Sequence, residues 1–272
     1  MKPASWLWVG WRDSFRTVHR LIPTADIICV DTVETNRFLV NPSGFGRLYS
    51  GLVLCSSFQH LPEFERSDEI LKLEQAIKSF LQERPNADVL FLSSAAVYGL
   101  RYTKKLLLET DTMGGSSAYA REKIHLEVFL RRETAARGHN LVILRPSGLF
   151  GKSQDFSRVN GLVDCLKFGS KKLEIAFLGR QVRDFLHVSD LFRVIKGMMI
   201  SMGAEGEVPR HVVYNVTNGE ARSVRDVCQQ FIDLNIAPEI LYHESEGPPH
   251  CALDGARLFA EFGYVFQKVR DF

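Results

Sequence analysis

The chain has 272 residues, 45% apolar and 24% charged, which fits one large globular domain or a domain with a smaller lobe and excludes wholesale disorder, collagen and coiled coil. Thirty-four Lys+Arg against thirty-two Asp+Glu leave a formal charge of +2, no footprint for nucleic acid or an anionic membrane surface. Five scattered cysteines (Cys29, Cys55, Cys165, Cys228, Cys251) without CxxC spacing argue against a disulfide framework and a zinc knuckle, and read as reduced thiols of a cytoplasmic protein.

Short apolar runs alternate with amphipathic stretches from the start. Trp6-Leu7-Trp8-Val9 closes at Gly10, Ile27-Ile28-Cys29-Val30 at Asp31, and Leu52-Val53-Leu54-Cys55 at Ser56-Ser57. The stretch 68–83 then carries Ile70, Leu71, Leu73, Ile77, Phe80 and Leu81 at helical spacing, with Pro85 just past its end. Val89-Leu90-Phe91-Leu92 ends at Ser93-Ser94, a second helix is predicted over 116–137 with Gly138 beyond it, and Leu141-Val142-Ile143-Leu144 ends at Arg145-Pro146. Strands apolar on both faces, separated by helices, predict an α/β fold with a Rossmann-like, doubly wound parallel sheet. Past residue 150 the rhythm loosens, and 151–272 reads as a small irregular C-terminal substrate lobe, with residues about 183–217 returning to the main sheet. No apolar run approaches the ~18 residues that span a bilayer, and the first six residues lack the apolar core of a signal peptide.

The chemistry concentrates where the fourth strand ends. Ligands of doubly wound sheets bind beyond the carboxyl ends of the strands, so Ser93 to Gly99 is expected at the ligand crevice. Tyr119 and Lys123 stand at i and i+4 near the start of the second long helix, on one helical face. A neighbouring ammonium favours phenolate and predicts a Tyr119 pKa drawn from ~10 toward neutrality. A phenol so tuned exchanges a proton with a sugar hydroxyl or ketone, with Ser94 holding the same oxygen. Read alone, a tyrosine at a helix start is equally a packing residue.

The blocks Phe91-Leu92-Ser93-Ser94-Ala95-Ala96-Val97-Tyr98-Gly99, Tyr119 with Lys123, Leu144-Arg145-Pro146-Ser147-Gly148-Leu149-Phe150-Gly151, Arg183-Asp184-Phe185-Leu186-His187-Val188-Ser189-Asp190-Leu191 and Tyr214-Asn215-Val216-Thr217 follow in order. This series, running from about residue 86 to 265, resembles the extended short-chain dehydrogenase/reductases, the NAD-dependent epimerase/dehydratase family acting on nucleotide sugars. The resemblance implies that residues 1–150 form a dinucleotide-binding domain and that NAD or NADP is the cofactor. It implies Tyr119 as proton-transfer acid/base, Lys123 as its partner and Ser94 on the reacting oxygen. Gly10, Asp31, Ser56, Ser93 and Pro146 are then the cofactor-binding residues, and Arg183 and Ser147 contact the substrate. Arg183 also has a plain reading as an ion pair with Asp184 or Asp190, and His187 reads as structural. The family's dehydratases carry an acid pair where this chain has Ala95-Ala96, and some of its epimerases a cysteine at the position of Ala96. An epimerase or a keto-sugar reductase needing only Ser, Tyr and Lys is left. No metal is called for, and a homodimer through the Tyr119 helix is implied, although Ile124 and Val128 serve equally well as intramolecular core.

One departure cuts the other way. The family's glycine-rich turn should follow the first strand, but Val9-Gly10-Trp11-Arg12-Asp13-Ser14-Phe15-Arg16 keeps one glycine and adds two bulky aromatics and an acid. The segment between Asp31 and Leu52 is also short for a full helix and strand, so the N-terminal part of the domain is abbreviated. These features support a competing reading: a cofactor-free relative of the fold acting as a binding, regulatory or subunit protein.

Overall fold

The computed structural model describes residues 6–10, 28–30, 38, 42, 49–55, 58, 62–102, 104–151, 161–169, 172–202, 211–245, 247 and 249–269. The chain forms two compact units. The first comprises Met1–Ser94, Ser116–Leu144 and Val194–Val213, and the second Ala95–Gly115, Arg145–Arg193 and Tyr214–Phe272.

In the first unit, β1 (Trp6–Val9), β2 (Ile28–Val30), β3 (Gly51–Leu54), β4 (Asp88–Leu92) and β5 (Asn140–Pro146) are strands of a six-stranded sheet completed by β10 (His211–Val216). The order is β10-β5-β4-β3-β1-β2, and the pairs β1–β2, β1–β3, β3–β4 and β4–β5 are parallel. Every residue of β1, β3 and β4 is buried, which is why these strands read as unbroken apolar runs rather than alternating ones. The sheet is the parallel α/β sheet that strand–helix alternation predicts.

Helix α1 (Glu63–Glu83) begins five residues before the predicted 68. Pro62, with its fixed φ, precedes it, and Glu63 and Glu65 lie in the first turn where the helix dipole favours anions. Helix α2 (Ala118–Arg137) is capped at both ends by means visible in the sequence. The Ser117 side chain accepts a hydrogen bond from Ala120 N–H at 3.1 Å, and Gly138 closes the helix at φ 71°. Leu73, Ile77 and Phe80 of α1 join Leu126, Phe129 and Leu130 of α2 in one buried cluster with Leu52, Leu54, Val89 and Phe91 of the sheet. Across the α1–α2 seam, Lys78 Nζ lies 5.5 Å from the Phe129 ring centroid and His125 Nε2 lies 2.6 Å from Glu74 Oε1. Ile124 is half-buried, whereas Val128 is 55% exposed.

The second unit is built from short pieces. Strand β6 (Gly148–Phe150) pairs in parallel with β9 (Phe185–His187), β7 (Leu173–Ile175) in parallel with β12 (Ile240–Tyr242), and β8 (Val182–Arg183) antiparallel with β11 (Arg222–Ser223). Of the segment 183–217, β10 therefore joins the large sheet, while β9 and Arg183 pair in separate ladders. Helices α3 (Leu162–Phe168) and α5 (Val224–Asp233) supply Val163, Leu166, Val227, Cys228 and Phe231 to a core shared with Phe150, Ile175 and Phe185. Helix α4 (Val188–Met202) and the short α6 (Ala256–Phe262) complete the described elements. Among the described residues no helix is long and apolar enough to cross a membrane, and no three His, Cys, Asp or Glu side chains cluster as metal ligands.

Candidate active site

The first unit brings Ser94, Tyr119 and Lys123 together. Strand β4 delivers Ser93 and Ser94 at its carboxyl end, and the following short 3-10 turn (Ala95–Tyr98) carries the chain away. The two serines face opposite ways, as consecutive residues of an extended chain must. Ser93 is 2% exposed, and its hydroxyl donates to Glu127 Oε1 at 2.5 Å. Ser94 is half-buried, and its hydroxyl hydrogen-bonds the Tyr119 phenol, which is also half-buried. The expected crevice-facing serine is thus Ser94, while Ser93 turns inward to the helix.

Lys123 is 2% exposed. Its ammonium donates to the Leu92 carbonyl at 2.9 Å and lies 4.9 Å from the Phe91 ring centroid and 5.8 Å from that of Tyr119. Burial lowers its pKa from 10.5 to about 8, against the opposing pull of Glu122, Cys55 and Glu127.

The phenol does not behave as the sequence predicts. Burial raises the Tyr119 pKa above 10, the hydrogen bond with Ser94 works against that rise, and the Glu122 carboxylate adds to it. Lys123 directs its charge at Leu92 and the two glutamates, so the expected depression by the ammonium is replaced by desolvation and a neighbouring anion. At neutral pH Tyr119 is a protonated phenol.

Three residues absent from the sequence reading shape this site. Glu127 and Glu122 are buried carboxylates on α2, and Cys55 is a buried thiol beyond β3. Glu122 and Glu127 flank Lys123 at i−1 and i+4, a spacing that could have flagged them, but burial is what makes them consequential.

Gly10 leaves β1 at φ 97°, the left-handed region that glycine tolerates, and its carbonyl accepts the Trp8 indole N–H at 2.8 Å. Asp31, Ser56 and the rest of the altered turn after Gly10 lie outside the described residues.

The expected substrate contacts lie in the second unit. Arg183 is half-buried, and its guanidinium donates to the backbone carbonyls of Pro249 and Val182 at 3.1 and 3.4 Å. Asp184 and Asp190 are engaged elsewhere, by Leu253 N–H and by Arg193 at 2.5 Å. Pro146 is buried, and Ser147 N–H donates to Val216 O at 3.0 Å. The Ser147 hydroxyl and the Asn218 amide nitrogen are buried with no hydrogen-bond partner among the described residues, the condition of groups that await a polar ligand. His187 is tied into structure: its ring meets Phe150 edge-on at 5.1 Å and its Nδ1 hydrogen-bonds Ser189 Oγ at 2.7 Å.

A parallel sheet with a hydrogen-bonded Ser–Tyr pair and a buried lysine at its strand ends is matched by a family model. The NAD dependent epimerase/dehydratase family model fits residues 68–216. The chain belongs to this family. Among curated relatives, a dTDP-4-dehydro-6-deoxy-D-allose reductase from a Streptomyces species is 24% identical, covering 80% of this chain and 70% of its own. Among solved structures, UDP-glucose 4-epimerase from Brucella ovis in complex with NAD superposes with a TM-score of 0.79 at 16% identity, covering 98% of this chain and 95% of its own. RMD from Pseudomonas aeruginosa complexed with NADPH superposes with a TM-score of 0.72 at 19% identity, covering 98% and 94%. At these identities the structural likeness speaks for the fold, a Rossmann-like α/β architecture.

Proposed function

We propose that this protein is an NAD(P)-dependent enzyme that reduces a keto-sugar or epimerises a sugar carbon of a nucleotide sugar, using Ser94, Tyr119 and Lys123. The observation that carries the reading is the hydrogen-bonded, half-buried Ser94–Tyr119 pair at the end of β4, one helical turn from a buried ammonium. Ser94 orients the reacting oxygen, Tyr119 gives or takes its proton, and Lys123 fixes a positive charge close to that oxygen.

The cofactor we assign is a nicotinamide dinucleotide, which when bound supplies or accepts hydride at the sugar carbon. The positive φ of Gly10 provides a turn at the carboxyl end of β1, where a dinucleotide-binding sheet needs one. With Gly10 we assign Asp31, Ser56 and Pro146 to the dinucleotide, and Ser93 to a supporting role through Glu127. Arg183 and Ser147 are assigned to the nucleotide-sugar substrate: a guanidinium suits a diphosphate, and a buried hydroxyl without a partner suits a ligand oxygen or nitrogen. Free thiols at Cys55, Cys165, Cys228 and Cys251 suit a cytoplasmic setting.

The test is turnover. Purified protein supplied with NADH or NADPH and a panel of 4-keto nucleotide sugars is expected to consume dinucleotide, and Tyr119→Phe is expected to lose ~10²–10⁴-fold in kcat while remaining folded. No consumption with either dinucleotide, and biological activity intact in Tyr119→Phe, would support the cofactor-free reading instead.

A further inference from the structure

Glu122 is 3% exposed and stands on α2 three residues after Tyr119 and immediately before Lys123. Phe58 N–H, from the segment that leaves β3, donates to both of its carboxylate oxygens at 3.2 and 3.3 Å. Glu122 therefore fastens the β3 exit to the helix that bears the tyrosine and lysine. One backbone N–H does not compensate a buried anion, and a glutamine of equal size would satisfy the same donor. What the carboxylate adds over an amide is charge, and that charge acts on both Lys123 and Tyr119.

The remaining charged groups are disposed differently. Glu127, on the far side of Lys123, is held by the Ser93 hydroxyl, and Cys55 reaches the ammonium from the end of β3. From α1, Glu74 faces His125, Lys78 faces the Phe129 ring and Glu63 lies 3.8 Å from Arg121. Among the described residues Glu122 is the carboxylate named as acting on the phenol and the ammonium together.

We infer that Glu122 is a positioning residue whose fixed negative charge keeps Lys123 an ammonium and Tyr119 a neutral phenol, committing the site to proton donation and hence to a keto-sugar as the substrate that is reduced. The inference rests on the Ser94–Tyr119–Lys123 reading above. In the step it favours, the carbonyl carbon gains a hydride from a reduced nicotinamide dinucleotide. The π-electron pair moves to oxygen, that oxygen takes the Tyr119 proton, and the phenolate is reprotonated from water.

Glu122→Gln preserves the acceptor for Phe58 and removes only the charge. The ionisation of Tyr119, read as the difference in tyrosinate absorbance between a protein and its Tyr119→Phe counterpart, should move to lower pH by roughly one unit in Glu122→Gln. The basic limb of kcat for keto-sugar reduction, set by loss of charge on Lys123, should move toward neutrality by a similar amount, and Glu122→Asp should restore part of both shifts. Unchanged titration and an unchanged basic limb in Glu122→Gln would overturn the inference, whatever the variant's stability. If Glu122→Gln does not fold, Glu122→Asp carries the same readout against wild type, and an identical titration there overturns it equally. Wild-type protein that turns over no keto-sugar but whose Tyr119 titration shifts in Glu122→Gln would sink the reductase reading and leave the electrostatic role of Glu122 standing.

Discussion

Replacing Lys123 by methionine tests whether the buried ammonium is held as the structure indicates. Its folded pKa is about 8 against 10.5 unperturbed, because burial disfavours the charged form. For a group whose folded pKa is depressed, the stabilisation it contributes is present above the unfolded value and is lost as pH falls through the folded one. One pKa unit corresponds to about 1.4 kcal/mol. Integrating the proton uptake of such a group gives wild type about 2 kcal/mol of added stability between about pH 7 and about pH 9.5 that the methionine variant lacks. Methionine matches the lysine stem in length but leaves Glu122 and Glu127 without their cation and the Leu92 carbonyl without its donor, so the variant carries a destabilising offset. The informative quantity is the pH dependence of the stability difference, not its size at one pH. Urea unfolding of both proteins across this range should show wild type gaining on Lys123→Met by about 2 kcal/mol. A difference that stays flat with pH would mean that Lys123 titrates as an ordinary solvated lysine, and the electrostatic account of the site would fall with it.

Gly51→Ala should cost about 1–3 kcal/mol in urea unfolding, because a Cβ on Gly51 would lie 2.5 Å from Cε3 of the fully buried Trp6 ring with which it pairs across the sheet; a neutral change would show that β1 and β3 are not in this register. His139 Nδ1 accepts the Ala87 N–H at 3.0 Å, and burial lowers the imidazole's pKa below 6.5, so its contribution is present above that value and is lost as pH falls. Denaturant midpoints of wild type and His139→Asn should therefore converge between about pH 7 and about pH 5, and parallel curves would refute the assignment.

The sheet was legible in the sequence because strands buried on both faces leave continuous apolar runs, and Trp6–Val9 is found with the predicted bounds. The start of α1 was missed by five residues because Glu63, Phe64 and Glu65 show no helical apolar spacing; Pro62 and two first-turn acids mark it instead. Ser117 and Gly138 announced the ends of α2 through cap chemistry that needs no tertiary context. Spacing also placed Tyr119 and Lys123 on one helical face, but it did not give their protonation. Acidity depends on desolvation and on which carbonyl the ammonium faces, and these are set by Leu92, Ser93 and Phe58 from distant stretches of chain. The second unit was hardest to read, since its ladders of two or three residues leave no periodicity to detect.

The central claim, that Tyr119 donates a proton as hydride reaches a sugar carbon, is tested most directly by label transfer. Dinucleotide deuterated at its hydride-donating carbon, incubated with the protein and a 4-keto nucleotide sugar, should leave deuterium on the sugar carbon that becomes an alcohol. Tyr119→Phe should slow that transfer ~10²–10⁴-fold. Absence of label from the product, or transfer at an undiminished rate in Tyr119→Phe, would contradict the account.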